Sequence, residues 1–141
     1  MKVTRMKRYR FAALAAALCA LQTAPALAAV MHGHTWQATY VAAYQPTFRT
    51  QGYPFSGIMK LSFNDGIISG TYVSESVRPD PLYGRTINVS GNVSKGNITL
   101  ILNAPGGFTV RGTIAENGEI SGTATVKGTF YTFMAKVKSS P

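Results

Sequence analysis

The chain is poor in the residues that carry redox, metal and acid–base chemistry. Its 141 residues include one cysteine, two histidines and five Asp or Glu, against fourteen Lys or Arg. The one cysteine, Cys19, lies in an apolar N-terminal run, so the rest of the chain has no thiol for a disulfide or a metal site. The part that follows this run must be held together by apolar burial and by strand pairing.

The apolar N-terminal run, residues 11–21, is too short to span a bilayer, which takes roughly 20 apolar residues in a helix. It follows a basic segment and precedes the small-x-small sequence Ala26-Leu27-Ala28, a typical cleavage site. We therefore expect a secretory signal peptide over residues 1–28 and one domain over residues 29–141. The mature protein would be periplasmic or secreted, with no integral membrane segment.

Positive charge is concentrated in this leader. Removal of its five Lys or Arg lowers the formal net charge from +9 to +4. The remaining cations are scattered singly along the chain, which does not predict a nucleic-acid partner.

A hairpin pattern dominates the mature sequence. Residues 55–76 form two alternating apolar arms around Asn64-Asp65-Gly66, and Asp-Gly between such arms is a strong hairpin signal because the tight turn needs positive φ. Similar alternation recurs without helical periodicity. The pattern predicts eight strands: residues 35–41, the two arms of the hairpin, and residues 85–93, 97–102, 108–115, 119–126 and 129–137.

Eight sequential strands with short connections favour an all-β fold, an eight-stranded antiparallel up-and-down β-barrel. Closure of the barrel removes the two exposed sheet edges. Glycines on the apolar faces are predicted at the sharp bends that a narrow barrel needs: Gly70, Gly91, Gly112 and Gly122. The other face carries Ser, Thr, Asn and Lys, which predicts an exterior in water rather than in lipid.

The connections differ between the two ends of such a meander. One end has three tight glycine turns, whereas the other has long connections over residues 42–54 and 75–84. Ligand sites in small barrels lie at the mouth, so we expect a site at this open end. The alternative is that these segments only connect strands.

The run from Gly66 to Ser74, GIISGTYVS, resembles the GxLTGTYxS run of the avidin family. His34-Thr35-Trp36 is also similar to the Gly-Thr-Trp of that family's first strand. The resemblance implies an eight-stranded up-and-down barrel whose loop between strands three and four closes over the ligand. It also places Tyr72 and Ser74 where the family hydrogen-bonds the ureido group of biotin.

Two features of the family pattern are missing here. The chain has one tryptophan, Trp36, where the family lines its pocket with several, and no acidic residue lies in residues 129–137 to match the family's late aspartate. We therefore expect a secreted or periplasmic barrel that binds a small, partly apolar molecule, biotin-like or otherwise, without a cofactor. The residues predicted to bind it are Trp36, Tyr40, Tyr72, Ser74, Ser76, Tyr83, Phe108 and Tyr131.

A protein-interaction module, an inhibitor or an assembly partner, is the alternative function. The same two connections carry aromatic and Arg residues of the type enriched at interfaces: Tyr44, Phe48, Arg49, Tyr53, Arg78 and Tyr83. Either function is compatible with a homo-oligomer.

Catalysis is not predicted, because no nucleophile is paired with a base along the chain. The two histidines, His32 and His34, are weak candidates for a copper, nickel or zinc site. A flexible lead-in to the first strand is the alternative for this segment.

Overall fold

The computed structural model describes residues 35–47, 55–75, 82 and 84–139. These residues form eight strands: β1 (Trp36–Pro46), β2 (Phe55–Asn64), β3 (Ile67–Ser74), β4 (Thr86–Ser94), β5 (Asn97–Leu102), β6 (Phe108–Ile114), β7 (Ile120–Val126) and β8 (Thr129–Ser139). Each strand pairs antiparallel with the next, and β8 pairs with β1, so the barrel is closed. The predicted eight-stranded up-and-down barrel is confirmed. The described residues include no helix with the length and apolar character that a membrane crossing requires.

The first strand is longer than predicted. β1 continues through residues 42–46, which the sequence analysis assigned to a connection. Its inward alternation persists through Ala42 and Tyr44, and Tyr44 pairs with Phe55 of β2 on one side and with Phe133 of β8 on the other. Partners on both sides keep this segment extended as far as Tyr44, and β8 alone pairs with Gln45 and Pro46. The other strand ends lie within two residues of their predicted positions.

Two-residue turns join β2 to β3, β4 to β5 and β7 to β8. In the first of these, Asp65 and Gly66 have φ of 53° and 79°, the positive pair that a type I′ turn requires. Lys95-Gly96 and Lys127-Gly128 have the same conformation. The hairpin predicted at Asp65-Gly66 is therefore confirmed.

The pairing register fixes the tilt of the strands. When paired residues are followed from each strand to the next around the barrel, the path returns to β1 ten residues beyond its starting point. The path runs through Trp36, Phe63, Ile68, Gly91, Leu100, Val110, Ala124, Tyr131 and Pro46. With eight strands this stagger corresponds to a tilt of about 40° from the barrel axis. A barrel of this size is just wide enough for side chains to fill or for one small ligand.

Glycines form a narrow waist around the middle of the barrel. Gly112 and Gly122 lie opposite each other on β6 and β7, and a Cβ on Gly122 would lie 2.6 Å from the Gly112 Cα. A Cβ on Gly70 or Gly91 would strike a carbonyl oxygen of the neighbouring strand. The expectation that inward glycines permit tight curvature is confirmed at these positions.

Inward apolar side chains pack along the length of the barrel. One face of every strand is buried, and the core they build extends from one end to the other. The largest of the fully buried side chains are Tyr40, Tyr72, Phe63, Phe108 and Phe133. The two ends differ in what closes them, and this difference positions the candidate site.

Candidate functional site

Four aromatic side chains converge at the open end of the barrel. Their strands each begin or end at the open end, and alternation brings one ring from each strand to the inside of the mouth. We call the four the mouth cluster: Tyr44 of β1, Phe55 of β2, Phe108 of β6 and Tyr131 of β8.

Tyr44 is the centre of the mouth cluster. Its ring centroid lies 5.0 Å from that of Phe55, 5.1 Å from that of Phe108 and 5.4 Å from that of Tyr131. The contacts with Phe108 and Tyr131 are edge-to-face, with interplanar angles of 78° and 81°. This geometry places the positive edge of one ring against the negative face of another, and each such pair contributes about 0.5–1.5 kcal/mol beyond area burial.

Burial divides the mouth cluster into a base and a rim. Tyr44 and Phe108 are buried, whereas Phe55 and Tyr131 are half-buried and retain contact with solvent. Phe55 and Tyr131 also contact each other, with ring centroids 6.1 Å apart. The cluster therefore presents the half-buried rings of Phe55 and Tyr131 to solvent at the mouth. The buried rings of Tyr44 and Phe108 pack beneath them.

The connection between β3 and β4 contributes to the core at this end. Leu82 is 2% exposed and belongs to the hydrophobic core. The backbone N–H of Arg85 donates to the Leu82 carbonyl at 3.0 Å, and that of Gly84 donates to the Ser74 carbonyl at 3.5 Å. This part of the connection is thus bonded back to the end of β3, beside the mouth cluster.

Tyr72 and Ser74 lie on the inward face of β3, as the family resemblance implies. Tyr72 is buried, and its ring centroid is 6.4 Å from that of Phe108. Its ring occupies the space over Gly57, where a Cβ would approach the Tyr72 Cε2 to 2.6 Å. Ser74 is buried too, and its hydroxyl donates to the Ser56 carbonyl at 3.5 Å. Both polar side chains therefore adjoin the mouth cluster.

Trp36 and Tyr40 lie towards the opposite end of the barrel. Trp36 pairs with Phe63, next to the Asp65-Gly66 turn, and the two ring centroids are 5.1 Å apart. The Tyr40 hydroxyl donates to the Gly118 carbonyl, in the β6–β7 connection, at 2.8 Å. Burial raises the pKa of the Tyr40 phenol above its ordinary value, because the charged phenolate would lose its hydration. The ring contact and the hydrogen bond therefore help to fill this end of the barrel.

The structure brings together only part of the predicted ligand-binding set. Tyr72, Ser74, Phe108 and Tyr131 are neighbours at the open end, and Trp36 and Tyr40 are remote from them. Ser76 and Tyr83 lie outside the described residues, and a ligand-binding role for all eight stays a prediction.

Sequence reasoning missed the two residues that complete the mouth cluster. Alternation along residues 55–63 predicts an inward Phe55 but does not single it out for the site. The sequence also predicts Tyr44 to be an exposed loop aromatic, which is wrong, because it is 3% exposed and centred in the cluster. The alternation of Tyr40, Ala42 and Tyr44 was the signal that could have identified it.

The chemistry offered at the open end is aromatic surface with a few hydroxyl groups. Tyr44, Tyr72 and Tyr131 carry phenols, and Ser74 carries a hydroxyl. Within the described strands and turns, no three His, Cys, Asp or Glu side chains are grouped so that they could hold a metal ion. His32 and His34 lie outside the described residues. The arrangement suits a small molecule that is largely apolar and has some hydrogen-bonding groups.

Comparison with models of known protein families gives no match for this chain, and comparison with curated proteins gives none either.

Proposed function

We propose that this protein is a binding barrel, exported from the cytoplasm, that takes a small, partly apolar ligand on the mouth cluster. One observation carries the proposal: four aromatic rings from four strands converge at one end, and two of them keep solvent contact. Aromatic surface beside a few convergent polar groups is what small-molecule sites in proteins have in common. The signal-like leader supports export to the periplasm or the outside of the cell.

The ligand would lie across the rim of the mouth cluster rather than deep in the barrel. Tyr44 and Phe108 form a packed base beneath the rim, and Tyr72 packs on Phe108 one layer further in. Phe55 and Tyr131 would provide the main apolar contacts. Ser74 would supply a polar contact from the wall, Tyr72 would support Phe108 from beneath, and Ser76 and Tyr83 would approach from the β3–β4 connection. Trp36 and Tyr40 would not touch the ligand.

The proposed role is binding without catalysis or a resident cofactor. Its support is the sequence, in which no nucleophile is paired with a base. A biotin-like ligand is the first to test, because the family resemblance rests on Tyr72 and Ser74, the polar pair beside the mouth cluster.

The test uses the mature protein with two probes, biotin and the fluorescent dye 1-anilinonaphthalene-8-sulfonate. Native mass spectrometry reports the mass of the protein, its oligomeric state and any biotin adduct, and dye fluorescence reports binding to aromatic surface. Tyr131→Ser removes a half-buried rim ring and is expected to weaken dye binding at least tenfold. The matched control is Ile101→Ser, which removes an outward apolar side chain of β5 that is 51% exposed, and is expected to change dye binding less than twofold.

Intrinsic fluorescence adds an internal reporter of position. Trp36 is the only tryptophan and packs against Phe63, away from the mouth cluster. Biotin at the mouth is expected to leave the emission of Trp36 almost unchanged, whereas biotin deep in the barrel would alter it. Equal weakening by Tyr131→Ser and Ile101→Ser, or no binding of either probe, would contradict the proposed site.

A protein partner is the second candidate, and an apolar stripe on the outer wall favours it. Val41 of β1 pairs with Ile58 of β2, which in turn pairs with Val73 of β3, so the three outward side chains form a row. Val41 is 42% exposed. The loop residues first considered for this role lie outside the described residues except Tyr44, which is buried.

The first protein partner to test is a second copy of this chain. Sedimentation velocity across a hundredfold range of concentration is expected to show a dimer that Val41→Lys abolishes, with Lys60→Gln on the same outer wall as a control. A monomer at every concentration would contradict self-association through the stripe.

A further inference from the structure

A second concave feature lies on the outer wall of the barrel, on the opposite face of the strands from the mouth cluster. It is a depression of about 450 Å³ across β6, β7 and β8. We call it the outer groove, and its lining residues are Thr109, Arg111, Thr123, Thr125 and Phe130. None of these is part of the open-end site proposed above.

Strand pairing sets the shape of the outer groove. Arg111 pairs with Thr123, and Thr125 pairs with Thr109 on one side and with Phe130 on the other. Thr123 and Thr125 of β7 therefore form the floor of the groove, with Arg111 of β6 on one side and Phe130 of β8 on the other. The two sides lie two strand spacings apart, about 10 Å.

Arg111 gives the outer groove a positive charge. Its side chain is exposed, and no carboxylate forms an ion pair with it among the described residues. The four carboxylates of the described residues lie in or beside connections, and none lines the groove: Asp65, Glu75, Glu116 and Glu119. The guanidinium is therefore available to an anion from solution.

Phe130 gives the same groove an apolar wall. It is 60% exposed on the outer face of β8, so its ring adds little to the core of the barrel. Its backbone carbonyl accepts a hydrogen bond from the Thr47 N–H at 3.3 Å, which anchors the main chain at this point. The groove thus combines an exposed aromatic ring, a cation and the hydroxyl groups between them. These are the components of a surface that can recognise a ligand.

We propose that the outer groove binds an acidic saccharide, a sugar that carries a carboxylate. The planar guanidinium of Arg111 can donate two parallel hydrogen bonds to a carboxylate. The threonine hydroxyls can donate to and accept from sugar hydroxyls, and the electron-rich face of Phe130 can pack on the C–H face of a sugar ring.

The size and charge of the groove favour this ligand over other anions. A width of about 10 Å between strands accommodates a sugar ring together with its substituents. A single cation suits one carboxylate, whereas a nucleic-acid backbone needs several cations in a row. The hydroxyl floor matches a ligand rich in hydroxyl groups better than it matches an apolar anion.

The test is an NMR titration of the mature ¹⁵N-labelled protein with trigalacturonic acid, with the neutral galactotriose as the matched ligand. The acidic trimer is expected to shift the amide signals of the groove residues. The neutral trimer is expected to bind at least tenfold more weakly. Arg111→Gln is expected to weaken binding of the acidic trimer at least tenfold, and Phe130→Ala about threefold to tenfold.

Lys60→Gln is the matched control for charge, because it removes one exposed cation from β2, across the barrel from β6. It is expected to leave the affinity within twofold of the wild type. Three results would overturn the proposal: no shifts at 20 mM trimer, shifts outside the groove, or equal losses in Arg111→Gln and Lys60→Gln. The signals of inward residues confirm in each variant that the barrel is folded.

Discussion

The two ends of the barrel use aromatic side chains for different purposes. At the closed end, the Tyr40 ring is buried inside the barrel, and its hydroxyl donates a hydrogen bond to the Gly118 carbonyl. At the open end, Tyr131 belongs to a packed cluster but is only half-buried. Tyrosine therefore stabilises the fold at one end and presents an aromatic surface to solvent at the other.

The connections at the two ends differ as well. At the closed end the two-residue turn Asp65-Gly66 joins β2 directly to β3. At the open end the connection between β1 and β2 is longer, although the two strands stay paired as far as Tyr44 and Phe55. The rings that retain solvent contact at the open end, those of Phe55 and Tyr131, mark the candidate site.

Truncation of one ring at each end should show the largest difference. Phe63→Ala removes a fully buried ring at the closed end and is expected to lower the free energy of unfolding by about 4 kcal/mol. Phe55→Ala removes a half-buried ring at the open end and is expected to cost less than half as much, because part of its surface is already in water. Urea denaturation followed by circular dichroism measures both. Equal losses would show that the two ends are packed alike.

The waist between the two ends should be the next most sensitive region. Gly122→Ala places a Cβ against the Arg111 carbonyl and the Gly112 Cα, and is expected to cost about 2–3 kcal/mol through strand displacement. Ser121→Ala, at an exposed outward position in the same strand, is the matched control and is expected to change stability by less than about 0.5 kcal/mol. A Gly122→Ala protein as stable as the control would mean that the strands separate there at little cost.

The buried phenol should give a smaller effect with a distinct pH dependence. Tyr40→Phe leaves the Gly118 carbonyl without this donor and is expected to cost about 1–2 kcal/mol at neutral pH. Because burial raises the folded-state pKa of Tyr40 above its ordinary value of 10.0, its contribution is complete below pH 10 and is lost as the unfolded chain ionises above it.

The stability difference between wild type and Tyr40→Phe is therefore expected to shrink above pH 10. Tyr131→Phe, at the open end, is the matched control and is expected to cost less than about 0.5 kcal/mol, as is usual for a half-exposed position. Thermal unfolding at pH 7, 9 and 10.5 measures both variants. A difference for Tyr40→Phe that grows with pH would rule out a buried neutral donor.

Local patterns in the chain were enough to predict most of the fold. Alternation set the inward face of each strand, and Asp65-Gly66 marked its turn because few other pairs adopt two positive φ angles in succession. The end of β1 was missed because Pro46 and polar neighbours are typical of a connection. What keeps residues 42–46 extended is pairing with β2 and β8, and β8 lies some ninety residues further along the chain.

The candidate site was less predictable than the fold. The order of the strands predicts which connections share an end, and that was enough to favour the open end. It does not predict that Tyr40 and Tyr44, four residues apart on one face of β1, serve opposite ends of the barrel. That separation comes from the rise of the strand, which is about 13 Å over four residues, and a tilt of about 40° leaves about 10 Å of it along the barrel axis.

The sequence by itself determined the strand order, the inward faces and the tight turns, because each depends on residues that are close in the chain. Tertiary structure alone decided the stagger of ten residues around the barrel and the convergence of Tyr44, Phe55, Phe108 and Tyr131. Both depend on closing β8 onto β1, and the register of that closure is set by packing of the whole interior rather than by any local pattern.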